Sequence, residues 1–376
     1  MARVLVLGGT SYVAQFVLQR LRQDETIRVA NGDALDGIEA VACTMRSEPF
    51  ALPEGFSSHS ALKSKRGVRV YWRVDLLALE DLEDCIKDFH PTVIISCTGT
   101  SWRGMYDTSQ TLKLIFVIRA AISSPAVCQK DPEKARAINE PEGLVTFLEK
   151  LPWRIRFVHL STDFVYEGTQ SYGASYDEDD AVLSTDLSVY GAGKLRFDQF
   201  LERRNSLTCN LQVLILRIAN VIGPVAPIFP GRSVPKFMQW LHCQLFQSEN
   251  ADTPLKLWSD EFRSYLYISD LIEIMLRLLA VNTKAQTTLI NVGGAEALSR
   301  VEIANKYLAA SAKHNPKTAA GVTREIVPTA RAKVDLGYPS PLNTKLNTAR
   351  LANMLPSFAW APTDRVLDEI SQSFIA

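Results

Sequence analysis

Over the first two-thirds of the chain, short apolar runs alternate with longer amphipathic segments, and this alternation restricts the fold more than any other feature. It is the rhythm of a parallel sheet joined by crossover helices, because parallel neighbours need a long connection and the helices cover both faces of the sheet. It predicts strands over Arg3–Leu7, Ala40–Thr44, Val68–Val74, Val93–Ser96, Phe157–Leu160 and Val213–Arg217. Helices are expected between them over Val13–Arg22, Leu79–Asp88, Glu133–Lys150 and Ser188–Arg203. Asp131-Pro132 is a start signal for the third of these, since proline is accommodated in the first helical turn.

Two stretches interrupt the rhythm. Gln23 to Glu39 is long for a helix-to-strand loop and carries Asn31-Gly32-Asp33 as a turn signal. Thr100 to Ala126 is longer and falls where a tight strand-to-helix connection belongs; it is read as an insertion, with Leu112–Ile122 as a short extra helix. A translated intron would give the same pattern. Beyond Gly223 four prolines cluster (Pro224, Pro227, Pro230, Pro235), followed by helical segments over Val234–Leu245, Ser269–Val281 and Ser299–Ala310 and a strand over Leu289–Val292. The expected fold class is α/β: a Rossmann-type doubly wound parallel sheet over residues 1–223, with the insertion at about 100–126. A smaller substrate-binding region over 224–376 is expected to be partly interwoven with it.

Composition narrows the class of function. Lys+Arg and Asp+Glu both number 41, so no global field favours nucleic acid or an anionic membrane. The six cysteines are scattered without a CxxC pair, and buried free thiols in a reducing compartment are the expectation. The five histidines are dispersed as well, so no metal site is expected. The first apolar run ends at Gly8, too short for a signal segment, and no stretch reaches the roughly 20 apolar residues of a membrane span. The cytoplasm is therefore the expected location.

Gly8-Gly-Thr-Ser11-Tyr-Val-Ala14 closes the first strand and opens the first helix, where backbone N–H groups and a helix N-terminus can meet a pyrophosphate. Gly8, Thr10, Ser11, Tyr12 and Val13 are its candidate cofactor-binding residues. Relative to a G-x-x-G-x-x-G turn, Ser11 and Ala14 replace the second and third glycines. Ala14 still permits close packing; the Ser11 Cβ obstructs the phosphate, or its hydroxyl hydrogen-bonds it. The second strand ends near Arg46. An arginine there pairs with a 2′-phosphate and favours NADP, with NAD possible, or is simply a solvated strand-end cation. Asp75 and Leu76 are placed to meet the adenine, and Cys97 and Thr98, in the turn Ser96–Gly99, to border the cofactor.

About thirty residues after Ser161-Thr162-Asp163 comes Tyr190-Gly-Ala-Gly-Lys194. A tyrosine and a lysine four apart share one face of a helix, and a hydroxyl just beyond a buried strand can reach the same point. The ammonium is expected to favour the phenolate and ease proton transfer. Together the three groups can polarise a carbonyl, give it a proton and orient a ribose. Tyr-x-x-x-Lys pairs are common, and this one draws its weight from the dinucleotide turn upstream.

At Val158-His-Leu-Ser-Thr-Asp-Phe-Val-Tyr-Glu-Gly168, Tyr176-Asp-Glu-Asp179 and Val189-Tyr-Gly-Ala-Gly-Lys194 the chain resembles an extended short-chain dehydrogenase, more narrowly the dTDP-4-dehydrorhamnose reductase family. Leu216–Gly223, Asp260–Leu271, Asn291–Gly294 and Leu298–Arg300 continue the resemblance over most of the chain outside the insertion. The same family includes the regulatory beta subunit of methionine adenosyltransferase. The resemblance implies that Thr162 is the catalytic hydroxyl, Tyr190 the acid, and Lys194 the cation that binds the ribose; Ser161 is the alternative hydroxyl. It leaves Asp163 either orienting substrate or capping a turn, and Arg263 either binding a substrate diphosphate or pairing with Asp260 or Glu261 at the surface. Asp270 is expected as a helix N-cap. The implied activity is NADP(H)-dependent reduction of a nucleotide-linked 4-keto-6-deoxy sugar, in a possible homodimer. The alternatives are a non-catalytic NADP-binding subunit partnered by the methionine adenosyltransferase catalytic subunit, or a scaffold that binds no dinucleotide.

Overall fold

The computed structural model describes residues 2–23, 27–28, 34–35, 37–47, 51–58, 67–75, 77–97, 124–204, 210–229, 235–247, 253–281, 285–314 and 324–374. Its centre is a sheet of eight strands: β1 (Ala2–Leu7), β2 (Ile38–Thr44), β3 (Phe56–Ser57), β4 (Val68–Tyr71), β5 (Val93–Ser96), β6 (Ile155–Thr162), β7 (Leu211–Ile218) and β8 (Thr287–Val292). They lie in the order β8-β7-β6-β5-β1-β2-β4-β3, and every pairing is parallel. The chain winds outward from β1 in both directions, so a crevice opens beyond the carboxyl ends of β1 and β5, the switch point where ligands bind in such sheets.

The continuous apolar runs follow from burial on both faces. Successive side chains alternate across a strand. Val4 and Val6 of β1 join one core, while Leu5 and Leu7 join the other. The first core takes helices α1 (Tyr12–Gln23) and, from the later part of the chain, α8 (Ile268–Ala280). The second takes α2 (Leu79–Phe89), α5 (Glu142–Glu149) and part of α6 (Val189–Arg203). Between β5 and α5 lie α3 (Pro125–Lys130) and α4 (Pro132–Asn139). Helices α7 (Phe237–Phe246) and α9 (Arg300–His314) belong to the later region.

The seven strands expected from the sequence all lie in the sheet, and β3 is an addition at its edge. The single helix expected over Glu133–Lys150 is instead two. Asp131 caps α4 as anticipated, its Oδ1 accepting the Lys134 N–H at 3.1 Å. Pro141 then ends the run, because a proline has no N–H to donate and pushes the preceding residue out of the helical region; Glu140 sits at φ −117°, ψ 66°. Asp270 is also corrected. It lies in the first turn of α8 behind the capping residue Tyr267, and its Oδ2 accepts the N–H of Ala361 at 3.1 Å. Within the Gln23–Glu39 connection, Ile27–Arg28 pairs antiparallel with Ala34–Leu35. The turn Asn31–Asp33 and the Leu112–Ile122 segment lie outside the described residues.

The later region carries short strands that no periodicity announced. Phe262–Ser264 runs between Ala297–Ser299 and Asn343–Thr344, and Leu255–Trp258 pairs with Ile326–Thr329. The chain returns from this region to place β8 on the sheet edge and leaves through Gly293-Gly294. There the backbone passes so close to Tyr265 that a Cβ on Gly294 would stand 1.6 Å from its carbonyl oxygen. Gly294→Ala is therefore expected to cost about 3 kcal/mol or more of stability, read as a lowered urea midpoint with an unchanged slope.

Candidate active site

Strand β6 ends in Ser161-Thr162, and alternation sends their side chains to opposite faces. Ser161 Oγ donates to Asp198 Oδ2 at 2.8 Å. Thr162 faces the cleft beside the phenol of Tyr190; its hydroxyl donates to Asp163 Oδ1 at 3.2 Å and accepts the Phe164 N–H at 3.3 Å. Of the two candidate hydroxyls, Ser161 is thus spent on Asp198, and Thr162 is the one beside the tyrosine.

Helix α6 presents that tyrosine. Ser188 caps it by accepting the Gly191 N–H at 3.1 Å. Gly191 lies so close to the turn after β6 that a Cβ there would meet the Phe164 carbonyl oxygen at 2.1 Å. This close approach presses Tyr190 against the end of β6, and it explains the glycine that follows the tyrosine. One turn on, Lys194 Nζ donates to the Leu160 carbonyl at 3.0 Å. Tyr190 and Lys194 are both buried, at 8% and 5% exposure.

Burial dominates their ionisation. It pushes the Tyr190 phenol above its ordinary value, outweighing the downward pull of the nearby Thr162 hydroxyl. The expected lysine-driven depression of the phenol is therefore corrected: dehydration wins. Burial likewise pushes Lys194 down to about 8, against the pull of Asp198, Cys128 and Glu140 toward the charged form.

Behind the lysine lies a buried polar chain. Asp198, fully buried, also accepts Arg217 Nε at 3.0 Å. Arg217 Nη1 donates onward to the Glu178 carbonyl at 2.6 Å and to the Tyr166 hydroxyl at 3.2 Å, and Tyr166 donates to Asn291 Oδ1 at 2.7 Å. His159 Nε2 stands 3.7 Å from Asp198 Oδ1, but burial and Lys194 hold its pKa well below the ordinary range, so the ring is neutral and no ion pair forms.

On the cofactor side, Gly8 adopts φ 78°, a left-handed conformation that favours glycine, and donates its N–H to Thr44 Oγ1 at 3.1 Å. Gly9 is the residue that sequence reasoning passed over. A Cβ there would sit 2.9 Å from both Cβ and Sγ of Cys43, so the turn can cross β2 only without a side chain. The doubled glycine was the available signal. Ser11 Oγ accepts the Ala14 N–H at 3.3 Å and caps α1. Thr10 is tied through its carbonyl to Gln15 Nε2 at 3.0 Å, and Tyr12 Oη donates to the Pro224 carbonyl at 2.8 Å. Arg46 and Asp75 are brought together as an ion pair of 3.1 Å at the end of β2, both partly exposed. Leu76 and Thr98 lie outside the described residues.

A cleft of about 330 Å³ joins these parts. Ser11, Tyr12, Val13 and Cys97 line one part of it, and Ser161–Phe164, Tyr190 and Lys194 another. Phe237, Trp240, Lys236, Arg263, Arg300 and Tyr338 come from the later region. Gly8, Thr10, Arg46 and Asp75 are not in its wall. Arg263 is buried rather than at the surface. Its guanidinium donates to the carbonyls of Phe262, Leu342 and Pro341 at 3.1, 3.3 and 2.6 Å and to Thr344 Oγ1 at 3.2 Å, and lies 3.6 Å from Glu261. Asp260 instead accepts the backbone N–H groups of Arg331 and Ala332. Asp163, also buried, accepts Thr344 Oγ1 at 2.5 Å, so both residues of the proposed substrate pair hold the segment 341–344. No group of His, Cys, Asp and Glu fit to hold a metal occurs among the described residues, and no described helix is long and apolar enough to cross a membrane.

The sequence profile of the NAD dependent epimerase/dehydratase family matches residues 107–293, a span that contains Thr162, Tyr190 and Lys194. No curated protein matches the chain. Among solved structures, UDP-glucuronic acid 4-epimerase from Bacillus cereus is 18% identical, with 99% of each chain covered and a TM-score of 0.67. A dTDP-4-dehydrorhamnose reductase from Clostridium acetobutylicum is 14% identical, with 100% of each covered and a TM-score of 0.66. UDP-glucose 4-epimerase from Thermotoga maritima is 16% identical, with 99% of this chain and 98% of that one covered and a TM-score of 0.66. The Rossmann-like α/β fold is thus shared with epimerases and reductases alike. At these identities the likeness is one of fold.

The buried chain behind Lys194 yields a test. In Asp198→Ala the guanidinium of Arg217 stays buried without its carboxylate, which is expected to cost about 3–5 kcal/mol in a denaturation experiment.

Proposed function

We propose that this chain is an NADP(H)-dependent reductase that acts on the 4-keto group of a nucleotide-linked 6-deoxy sugar. The observation that carries the reading is the meeting of Thr162, Tyr190 and, one helical turn on, Lys194 in the wall of a cleft that also takes in the first turn of α1. The nucleotide-sugar class is supported by similar structures described with UDP-glucose, UDP-glucuronic acid and NADP. In this proposal residues 1–223 hold the dinucleotide and residues 224–376 close over the sugar nucleotide.

The residues present fit a dinucleotide. Gly8 turns the chain with φ 78°, Gly9 leaves room at Cys43, and Ser11, Tyr12 and Val13 open α1 into the cleft. When bound, NADPH supplies the hydride. Tyr190 holds the proton that the carbonyl oxygen receives as it becomes an alcohol, and the raised phenol pKa keeps that proton in place until it is needed. Thr162, beside the phenol in the same cleft wall, positions the same oxygen. Lys194, fixed by Leu160, orients a ribose hydroxyl and stabilises the phenolate left after transfer. Arg46 at the end of β2 favours a 2′-phosphate. NADPH suits net reduction better than the internally balanced oxidation and reduction of an epimerisation.

With a 4-keto-6-deoxy sugar nucleotide and NADPH, the native chain is expected to consume the cofactor, and Tyr190→Phe to lose about a thousandfold in kcat. Cofactor binding without turnover, together with copurification with methionine adenosyltransferase, would replace the reductase reading by the regulatory one. Lys194 carries its charge below a pKa of about 8 and loses it as pH rises through that value. A falling limb near pH 8 in kcat/KM is expected, and it should vanish in Lys194→Arg, whose guanidinium does not titrate there. Arg46→Ala is expected to weaken NADPH binding by about tenfold or more while leaving NADH binding unchanged, as read by fluorescence titration.

A further inference from the structure

Four cationic side chains stand in the cleft wall, and three of them are engaged. Lys194 donates to the Leu160 carbonyl, Arg263 spends its fork on the segment 341–344, and Arg300 Nε pairs with Glu261 at 3.0 Å. Lys236 differs. Among the described residues no carboxylate lies within ion-pair distance of its ammonium, which rests 5.6 Å above the ring of Tyr12.

The placement of Lys236 is firm. Its backbone N–H donates to Gln239 Oε1 at 2.9 Å, and Gln239 Nε2 donates to the Gly223 carbonyl at 2.8 Å. The residue stands at the N-cap position of α7, so the positive end of that helix adds to the positive potential around it. Tyr12, beneath the ammonium, is the first residue of α1, and its hydroxyl is anchored on Pro224. The lysine therefore faces the point where the first turn of α1 meets the cleft. Burial pushes its pKa down to about 8, so the half-buried side chain still carries its charge at neutral pH. A partly dehydrated cation with no counter-ion is electrostatically incomplete, and an anion completes it.

We propose that Lys236 is a phosphate-binding residue that holds the diphosphate of a nucleotide entering this cleft. That the anion is a nucleotide's diphosphate rests on the reductase reading above; that the site takes a diphosphate does not. The diphosphate belongs either to the dinucleotide or to the sugar nucleotide, and the two sources can be told apart.

The test is calorimetric titration of the native chain, Lys236→Met and Lys236→Arg with inorganic pyrophosphate, with UDP and dTDP, and with NADPH. Melting curves establish that the variants are folded. Lys236→Met is expected to weaken pyrophosphate by about tenfold or more, while Lys236→Arg retains most of the affinity. A matching loss for UDP or dTDP assigns the sugar nucleotide as the source; a matching loss for NADPH assigns the cofactor. If native affinities survive unchanged in Lys236→Met for every ligand, the assignment of Lys236 is overturned and the reductase reading stands. If the native chain binds pyrophosphate through Lys236 but no nucleotide, the reductase reading fails and the phosphate site stands. No binding of any ligand overturns both.

Discussion

The carboxylate of Asp198 has no water to turn to, and the geometry of the site depends on how that problem is solved. One oxygen takes both the Ser161 hydroxyl and the Arg217 guanidinium, which ties α6 to β6 and β7 together. Arg217 then reaches the Glu178 carbonyl and Tyr166, and Tyr166 reaches Asn291 on β8. A buried ion pair is costly to dehydrate, and here Oδ2 carries the hydrogen bonding while Oδ1 faces the neutral His159 ring at 3.7 Å without a hydrogen bond. The consequence is positional: α6 cannot slide along the sheet without breaking several of these bonds. Tyr190 and Lys194 ride on that helix, so their register against Thr162 and Leu160 is set from behind.

From the front, the register is set by sterics. Gly191 admits the Phe164 carbonyl where no side chain could fit, and the helix closes down on the end of β6. The same closeness removes solvent from Tyr190 and Lys194, and dehydration moves their pKa values in opposite directions toward their neutral forms. Preorganisation and pKa tuning here have one cause. The cleft cations divide by the same logic. Arg263 and Arg300 are absorbed by carbonyls and by Glu261, whereas Lys236 keeps its charge facing the first turn of α1.

Much of this was legible in the residues. The parallel sheet could be read because its strands are buried on both faces and appear as unbroken apolar runs. The Thr162, Tyr190 and Lys194 cluster could be read because helical and strand periodicities are short-range rules. The split at Pro141 was equally local, and the proline stood in the sequence as its signal. The late strands Phe262–Ser264 and Asn343–Thr344 were not legible, because they are two or three residues long and gain their partners from positions about eighty residues apart. Arg263 misled for a related reason. A sequence shows an arginine beside acids but not the carbonyls of Pro341 and Leu342 that fold onto it.

The sequence by itself determined the class of fold, the turn at Gly8, and the spacing that puts a phenol and an ammonium on one helical face. These are properties of neighbours along the chain. The tertiary structure alone decided which hydroxyl meets the phenol, how Ser11 spends its oxygen, and which cation is left without a carboxylate. Those outcomes depend on burial and on partners distant in sequence. A hydroxyl, a guanidinium or an ammonium takes its role from whichever dipoles folding brings within about 3 Å of it.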